Sequence, residues 1–262
     1  MSILHHIDIA YVLSGFLVGF LVGMTGVGGG SLMTPLLILL FGISPAKAVA
    51  TDLIYASITK TGGSLVHAFN RMIDWGVVAR LATGSLPGSV VTLLTFYYLG
   101  IDSEVVSAMI TRVLGVALFF TATALILRPW LLRTYAGRLG GTSEGSTRAY
   151  TILTGAVLGV LVTISSVGAG ALGVTALILL YPRLPIVRIA ASDIAHAVPL
   201  TLVAGVGHLV SGSINLWLLA SLLTGSLPGI LLASAFAPRL PDIALRLTLA
   251  AILLIVAWKL LF

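Results

Sequence analysis

Cysteine is absent and charge is scarce. Without cysteine, disulfides, thiolate metal centres and a cysteine nucleophile are excluded. Asp, Glu, Lys and Arg make up 8% of the 262 residues, where a soluble domain carries about 25%. So little charge cannot keep a folded surface in water. No Lys or Arg occurs before Lys47, so the positive n-region of a secretory signal is missing. The five histidines do not cluster, so no metal centre is expected. No cofactor, catalytic residue or nucleic-acid partner is expected either.

What is there is apolar. Mean hydropathy is +1.15, and apolar blocks run at about 8–41, 46–69, 75–99, 104–128, 149–181, 186–210, 216–237 and 243–262. This is the pattern of a polytopic all-α membrane protein. The net charge of +6 is a topology signal rather than a nucleic-acid surface.

The chain is duplicated. Val27-Gly28-Gly29-Gly30 follows Gly15, Gly19 and Gly23, and Val167-Gly168-Ala169-Gly170 follows Gly155 and Gly159. Ala50-Thr51-Asp52 matches Ala191-Ser192-Asp193, Lys47 matches Arg188, and His67 matches His208. Gly84-Ser85-Leu86-Pro87-Gly88 returns unchanged as Gly225-Ser226-Leu227-Pro228-Gly229. Arg112 matches Arg246. The division expected is a first repeat at 1–132, a cytoplasmic linker at 133–148 and a second repeat at 149–262.

Blocks 8–41 and 149–181 exceed one span of about 20 residues. Each is broken by glycine, and broken backbone is tolerated in a membrane only where protein buries it or it lines a cavity. Each block is either a re-entrant hairpin or a single crossing. Hairpins followed by three full spans make the second half inverted and put nine Lys/Arg inside, leaving Lys47 and Lys259 outside. Single crossings give seven inside and four outside. The inverted repeat fits the positive-inside rule better. Paired glycine breaks in inverted halves are an architecture of secondary transporters.

The candidate site follows from helix ends and deep charges. Gly28, Gly29, Gly30 and Ser31 open one half-helix, and Gly168, Ala169 and Gly170 open its mate; free N–H groups and the helix dipole there attract anions. The outer glycines, Gly15-x3-Gly19-x3-Gly23 and Gly155-x3-Gly159, read as close helix packing. Lys60 lies deep in an apolar block, where a lysine costs at least about 2.5 kcal/mol, and its repeat mate is Thr201. It is either a point charge for an anionic substrate or the partner of Asp52 or Asp193. Asp52, Asp193 and His196 are candidates for proton coupling, since His196 follows Asp193 by one helical turn and titrates near neutrality. The alternative for both aspartates is to cap or brace a helix. Pro87 and Pro228 each free a carbonyl and allow a bend.

These features resemble the TauE/SafE family of membrane transporters, the sulfite exporters. The carrying residues are Gly23-Met24-Thr25-Gly26-Val27-Gly28-Gly29-Gly30-Ser31 with Pro35, then Ala50-Thr51, His67, Ile73-Asp74-Trp75 and Gly84-x2-Pro87-Gly88. The second half repeats them with Gly168-Ala169-Gly170, Ser192, His208 and Ile214-Asn215. The resemblance covers essentially the whole chain. It implies a multi-pass carrier in the bacterial inner membrane for sulfite, sulfonates or related small sulfur anions. Asp52, Asp193 and Lys60 depart from the family pattern, in which those positions are uncharged. The expected function is alternating-access transport of a small anion, with proton coupling through the added acids. An anion channel with the glycine turns as its constriction is the alternative. Glycine-rich faces also allow a homo-oligomer.

Overall fold

The computed structural model describes residues 8–25, 30–100, 104–139, 143–210, 215–236 and 242–262. Ten helices lie among them: α1 (Ile9–Thr25), α2 (Gly30–Phe41), α3 (Pro45–Phe69), α4 (Trp75–Leu99), α5 (Glu104–Leu139), α6 (Glu144–Ser165), α7 (Ala171–Leu180), α8 (Ile186–Val210), α9 (Leu216–Phe236) and α10 (Asp242–Leu261). No strand is found among the described residues. Six of these helices are long and apolar enough to cross a membrane. The chain is an all-helical, multi-pass membrane protein. Its surface agrees: Leu, Val and Phe side chains and all four tryptophans face outward, while Asp52, Asp193, His196 and many hydroxyl side chains are buried.

Helix starts follow from local sequence. Asp74 caps α4, its Oδ1 accepting from the Gly76 and Val77 amides at 3.0 and 3.1 Å. Its repeat mate Asn215 caps α9, accepting from Trp217 and Leu218 at 3.0 and 3.2 Å. Pro45 opens α3 at a position where its missing N–H costs nothing. α4 and α9 run as single helices through Pro87 and Pro228, so neither proline ends its span. The helix α5 continues to Leu139 and α6 begins at Glu144. Most of the described part of the polar stretch 133–148 is thus helical.

Both glycine-broken blocks fold back on themselves. At 12 and 10 residues, α2 and α7 are about 18 and 15 Å long, far short of a bilayer core of about 30 Å. The ring of Tyr11, near the start of α1, lies 4.6 Å from that of Phe41, the last residue of α2. At the equivalent place in the second half, the Thr151 and Tyr181 hydroxyls are 2.8 Å apart. Ends that meet in this way define hairpins, one of the two forms the sequence allowed. In the second, Ser166 takes a left-handed conformation (φ 58°), and Gly168 and Gly170 have φ of 133° and 121°, which demand glycine.

The two halves interlock. The helix α1 packs along α9, and its repeat mate α6 packs along α4. Both seams are built from the duplicated small residues. A Cβ on Gly84 would overlap the Ile152 carbonyl, one on Gly155 the Leu81 carbonyl, and one on Gly159 the Ser85 carbonyl. In the other seam Gly225, Gly15 and Gly19 stand in the same relation to Val12, Leu222 and Ser226. Residue numbers rise together across each seam, so the paired helices are parallel. The outer glycines are packing residues, as their spacing indicates. By contrast α3 and α8 cross antiparallel, with Gly63 beside Ile194 and Gly205 against Ile54.

A Cβ added at Gly62 would meet no other part of the protein within 4 Å. Gly62→Ala should therefore stabilise the exposed middle of α3 by up to about 1 kcal/mol through helix propensity alone. Thermal unfolding in detergent reads this, and a destabilised variant would show that Gly62 needs its missing side chain.

Candidate functional site

The polar interior is organised along the α3–α8 crossing. Asp52, in the second turn of α3, is fully buried. Thr34 Oγ1 of α2 donates to its Oδ2 at 2.5 Å, and the Thr34 backbone amide and the Ser166 hydroxyl lie close by. The carboxylate thus touches the first hairpin and the tip of the second. Asp193, at the equivalent place on α8, faces the Gly170 amide at the start of α7. It also packs so tightly on Gly173 that no Cβ fits there. The start of α7 therefore already has a carboxylate beside it, an arrangement favoured by the helix dipole, while Asp52 meets α2 one turn in, at Thr34.

Lys60 lies between them. It is eight residues beyond Asp52, about 12 Å along the axis. The antiparallel crossing, with Ile194 opposite Gly63, brings Asp193 nearer. Lys60 accordingly interacts electrostatically with both carboxylates, and with Asp193 more strongly.

His196 is buried one turn beyond Asp193, and its Nε2 is 2.7 Å from the Ser85 hydroxyl of α4. The repeat has an echo: Tyr55, the mate of His196, lies close to Ser226, the mate of Ser85. His208 is also buried, with Nε2 3.1 Å from the Thr163 carbonyl and its ring edge-on to Phe96. Both contacts brace α8 against its neighbours.

The cluster is under-satisfied. Thr51 Oγ1, Asp52 Oδ1, the Tyr55 and Ser166 hydroxyls, both Asp193 oxygens and His196 Nδ1 are buried without a hydrogen-bond partner. Buried polar groups are normally paired, and leaving one unpaired costs about 1–3 kcal/mol. Several such atoms gathered on adjoining elements make this the candidate site among the described residues.

Of the residues read from sequence, Asp52, Asp193, His196, Lys60 and Gly170 lie along this crossing, while Gly168 packs on Leu158 and Val162 of α6. Gly28 and Gly29 lie outside the described residues, and Gly30 is the first residue of α2. Ser31 is buried and borders an apolar groove between α1, α2 and α10. The Ala169 side chain joins an apolar cluster with Val49, Leu53 and Leu200, so any contribution to the site comes from its backbone. Thr34, Tyr55, Ser85, Ser166 and Ser226 were not read as site residues. The 141-residue offset pairs Tyr55 with His196 and Ser226 with Ser85, and was the available signal.

Comparison with known proteins agrees with this architecture. The family model for Sulfite exporter TauE/SafE matches residues 11–260. The Probable membrane transporter protein YjnA of Bacillus subtilis (strain 168) is 38% identical over 217 residues, 82% of this chain and 85% of that protein. Probable membrane transporter protein YdhB of the same organism is 24% identical over 212 residues, 81% of this chain and 83% of its own length. No solved structure matches. With ten helices among its described residues, paired hairpins and a family match across almost its whole length, the chain belongs to the TauE/SafE family of membrane transporters, in the bacterial cell membrane.

Proposed function

We propose that this protein is a secondary transporter for a small sulfur-containing oxyanion, sulfite or a sulfonate, working by alternating access with proton coupling. The carrying observation is the buried, under-satisfied cluster around Lys60, where both hairpins meet the α3–α8 crossing. The halves are read as inverted repeats. Antiparallel α3 and α8 with parallel cross-half seams support this, because single-crossing blocks would make α3 and α8 parallel. The face bearing Arg71, Arg80, Arg183 and Arg188 is assigned to the cytoplasm by the positive-inside rule.

The helix ends explain why acids belong in an anion site. While charged, Asp193 holds the start of α7 and Asp52 sits against the first turns of α2, and both repel a second anion. A proton on either carboxylate removes that hold, and the oxyanion can then take its place with Lys60 as counter-charge. Anion and proton thereby bind together, and the halves rock about them.

Proteoliposomes loaded with labelled sulfite test this. Saturable counter-exchange and accumulation driven by an imposed pH gradient are expected. Asp193→Asn should abolish the gradient-driven component while counter-exchange persists. Current without counter-exchange would mean a channel. Accumulation equally steep in Asp193→Asn and Asp52→Asn would remove the coupling role from both.

A further inference from the structure

A second polar feature stands apart from the Lys60 cluster, at the mouth of the second hairpin. A cleft of about 220 Å³ opens there among Arg80 of α4, Glu144 and Thr147 of α6, and Tyr181, Pro182 and Arg183 beyond α7. The half-buried Arg80 donates through Nη1 to the Tyr181 hydroxyl at 3.2 Å. Tyr181 in turn donates to Thr151 at 2.8 Å, because the Thr151 hydroxyl is itself committed to the Thr147 carbonyl at 2.7 Å. The chain of donors ends in one guanidinium that spends a single N–H of its five on tyrosine. Arg183 is exposed on the same cleft. Asp74, the α4 cap, and Glu144 both interact electrostatically with Arg80; of the two only Glu144 lines the cleft, whose walls thus carry two arginines and one carboxylate.

Among the described residues the first half shows no equivalent network. The repeat mates of Arg80, Thr151 and Tyr181 are Ser221, Tyr11 and Phe41. There the hairpin closes by an aromatic contact. A network of pure packing value would not need charge at one mouth and rings at the other.

We propose that this cleft is an oxyanion-binding site, separate from the central cluster, in which Arg80 and Arg183 take a sulfate-like or phosphate-like group. Its volume suits a small tetrahedral or pyramidal anion. Two guanidiniums offer the planar, forked donors that such anions prefer. Because Arg80 also ties α4 to the hairpin through Tyr181, an anion that recruits Arg80 loosens that tie. The site's existence does not depend on the transport reading. Its role as the first stop of a transported anion on this face does.

The same chemistry has two sources, a free oxyanion or the phosphate headgroup of an anionic lipid. The test uses the full chain with Lys60→Ala, or Lys60→Ala/Asp193→Asn if the single variant does not fold, purified in uncharged detergent. Inorganic sulfate is titrated calorimetrically. Saturable binding is expected, weakened roughly tenfold by Arg80→Gln and again by Arg183→Gln. Tyr181→Phe, which keeps both arginines, should bind sulfate at least as tightly as its parent. Absence of saturable binding, or affinity unchanged in Arg80→Gln/Arg183→Gln, overturns the site. In nanodiscs, sulfate binding that persists beside anionic phospholipid supports the free anion. Displacement of sulfate by that lipid, dependent on both arginines, keeps the oxyanion chemistry but overturns the first-stop role. Failure of sulfite flux in proteoliposomes would sink the transport reading while leaving the titration result standing.

Discussion

Lys60→Ala should weaken binding of the transported oxyanion on the order of a hundredfold, with flux lost at substrate concentrations that saturate the wild type. The magnitude follows from the setting. Lys60 lies near both carboxylates and deep in a helix that packs against α8. Removing a cation that meets a bound anion inside the protein costs about 2–5 kcal/mol, and about 2.7 kcal/mol is a hundredfold in affinity. Equilibrium binding of labelled sulfite to purified protein is the direct readout.

A single variant cannot separate the two roles open to Lys60, because removing it also strips Asp193 of its electrostatic partner. A double variant can. Lys60→Ala/Asp193→Asn removes both members, so the stability lost in Lys60→Ala should largely return, as it does when no buried charge is left uncompensated. Substrate binding should not return, because the positive charge that meets the anion is still missing. If the double variant recovers both stability and affinity, Lys60 is a structural counter-ion and the charge role fails. If Lys60→Ala alone keeps its affinity, the central site lies elsewhere.

How far the sequence reaches depends on whether a feature is repeated. The glycines of both seams, the two GSLPG segments and the Asp74/Asn215 caps recur at fixed offsets, and each proves to occupy equivalent positions in the two halves. Repetition filters out accident, so these were legible. The break at Gly168-Ala169-Gly170 was legible too, since three small residues in an apolar run cannot sustain a helix cheaply. Cross-element partners were not. Thr34 reaches Asp52 from another helix, and Ser166 from the opposite repeat. No spacing along the chain encodes such a meeting. Tyr55 sits in an apolar stretch and reads as core until its repeat mate, His196, is seen on Ser85. Ala169 was read as lining because its neighbours are glycines, but inside a turn the side-chain direction follows no period, and its methyl points into the apolar cluster.

The largest effect on folding is expected from Gly84→Leu. On α4, Gly84 is buried and meets α6 so closely that even a single added carbon would overlap the Ile152 carbonyl and crowd the Ala156 amide. Both obstacles are backbone, so no side-chain rotation relieves the overlap. The two helices must separate, and with them the reciprocal contacts of Gly155 on Leu81 and Gly159 on Ser85. Overpacking costs about 1–3 kcal/mol where side chains can adjust, and here the cost should exceed about 3 kcal/mol because they cannot. In a bilayer lipid competes for the same surface, so close packing is a main force holding such a seam. The Ser85 hydroxyl that pairs with His196 sits on that seam. A partly folded Gly84→Leu protein should therefore lose transport before it loses helicity. The expected result is a steep fall in the fraction that stays monodisperse in detergent, with far-ultraviolet dichroism largely kept. Gly62→Ala, made in parallel on an open face, controls for glycine replacement as such. Wild-type stability in Gly84→Leu would mean that α4 and α6 are not joined through this contact.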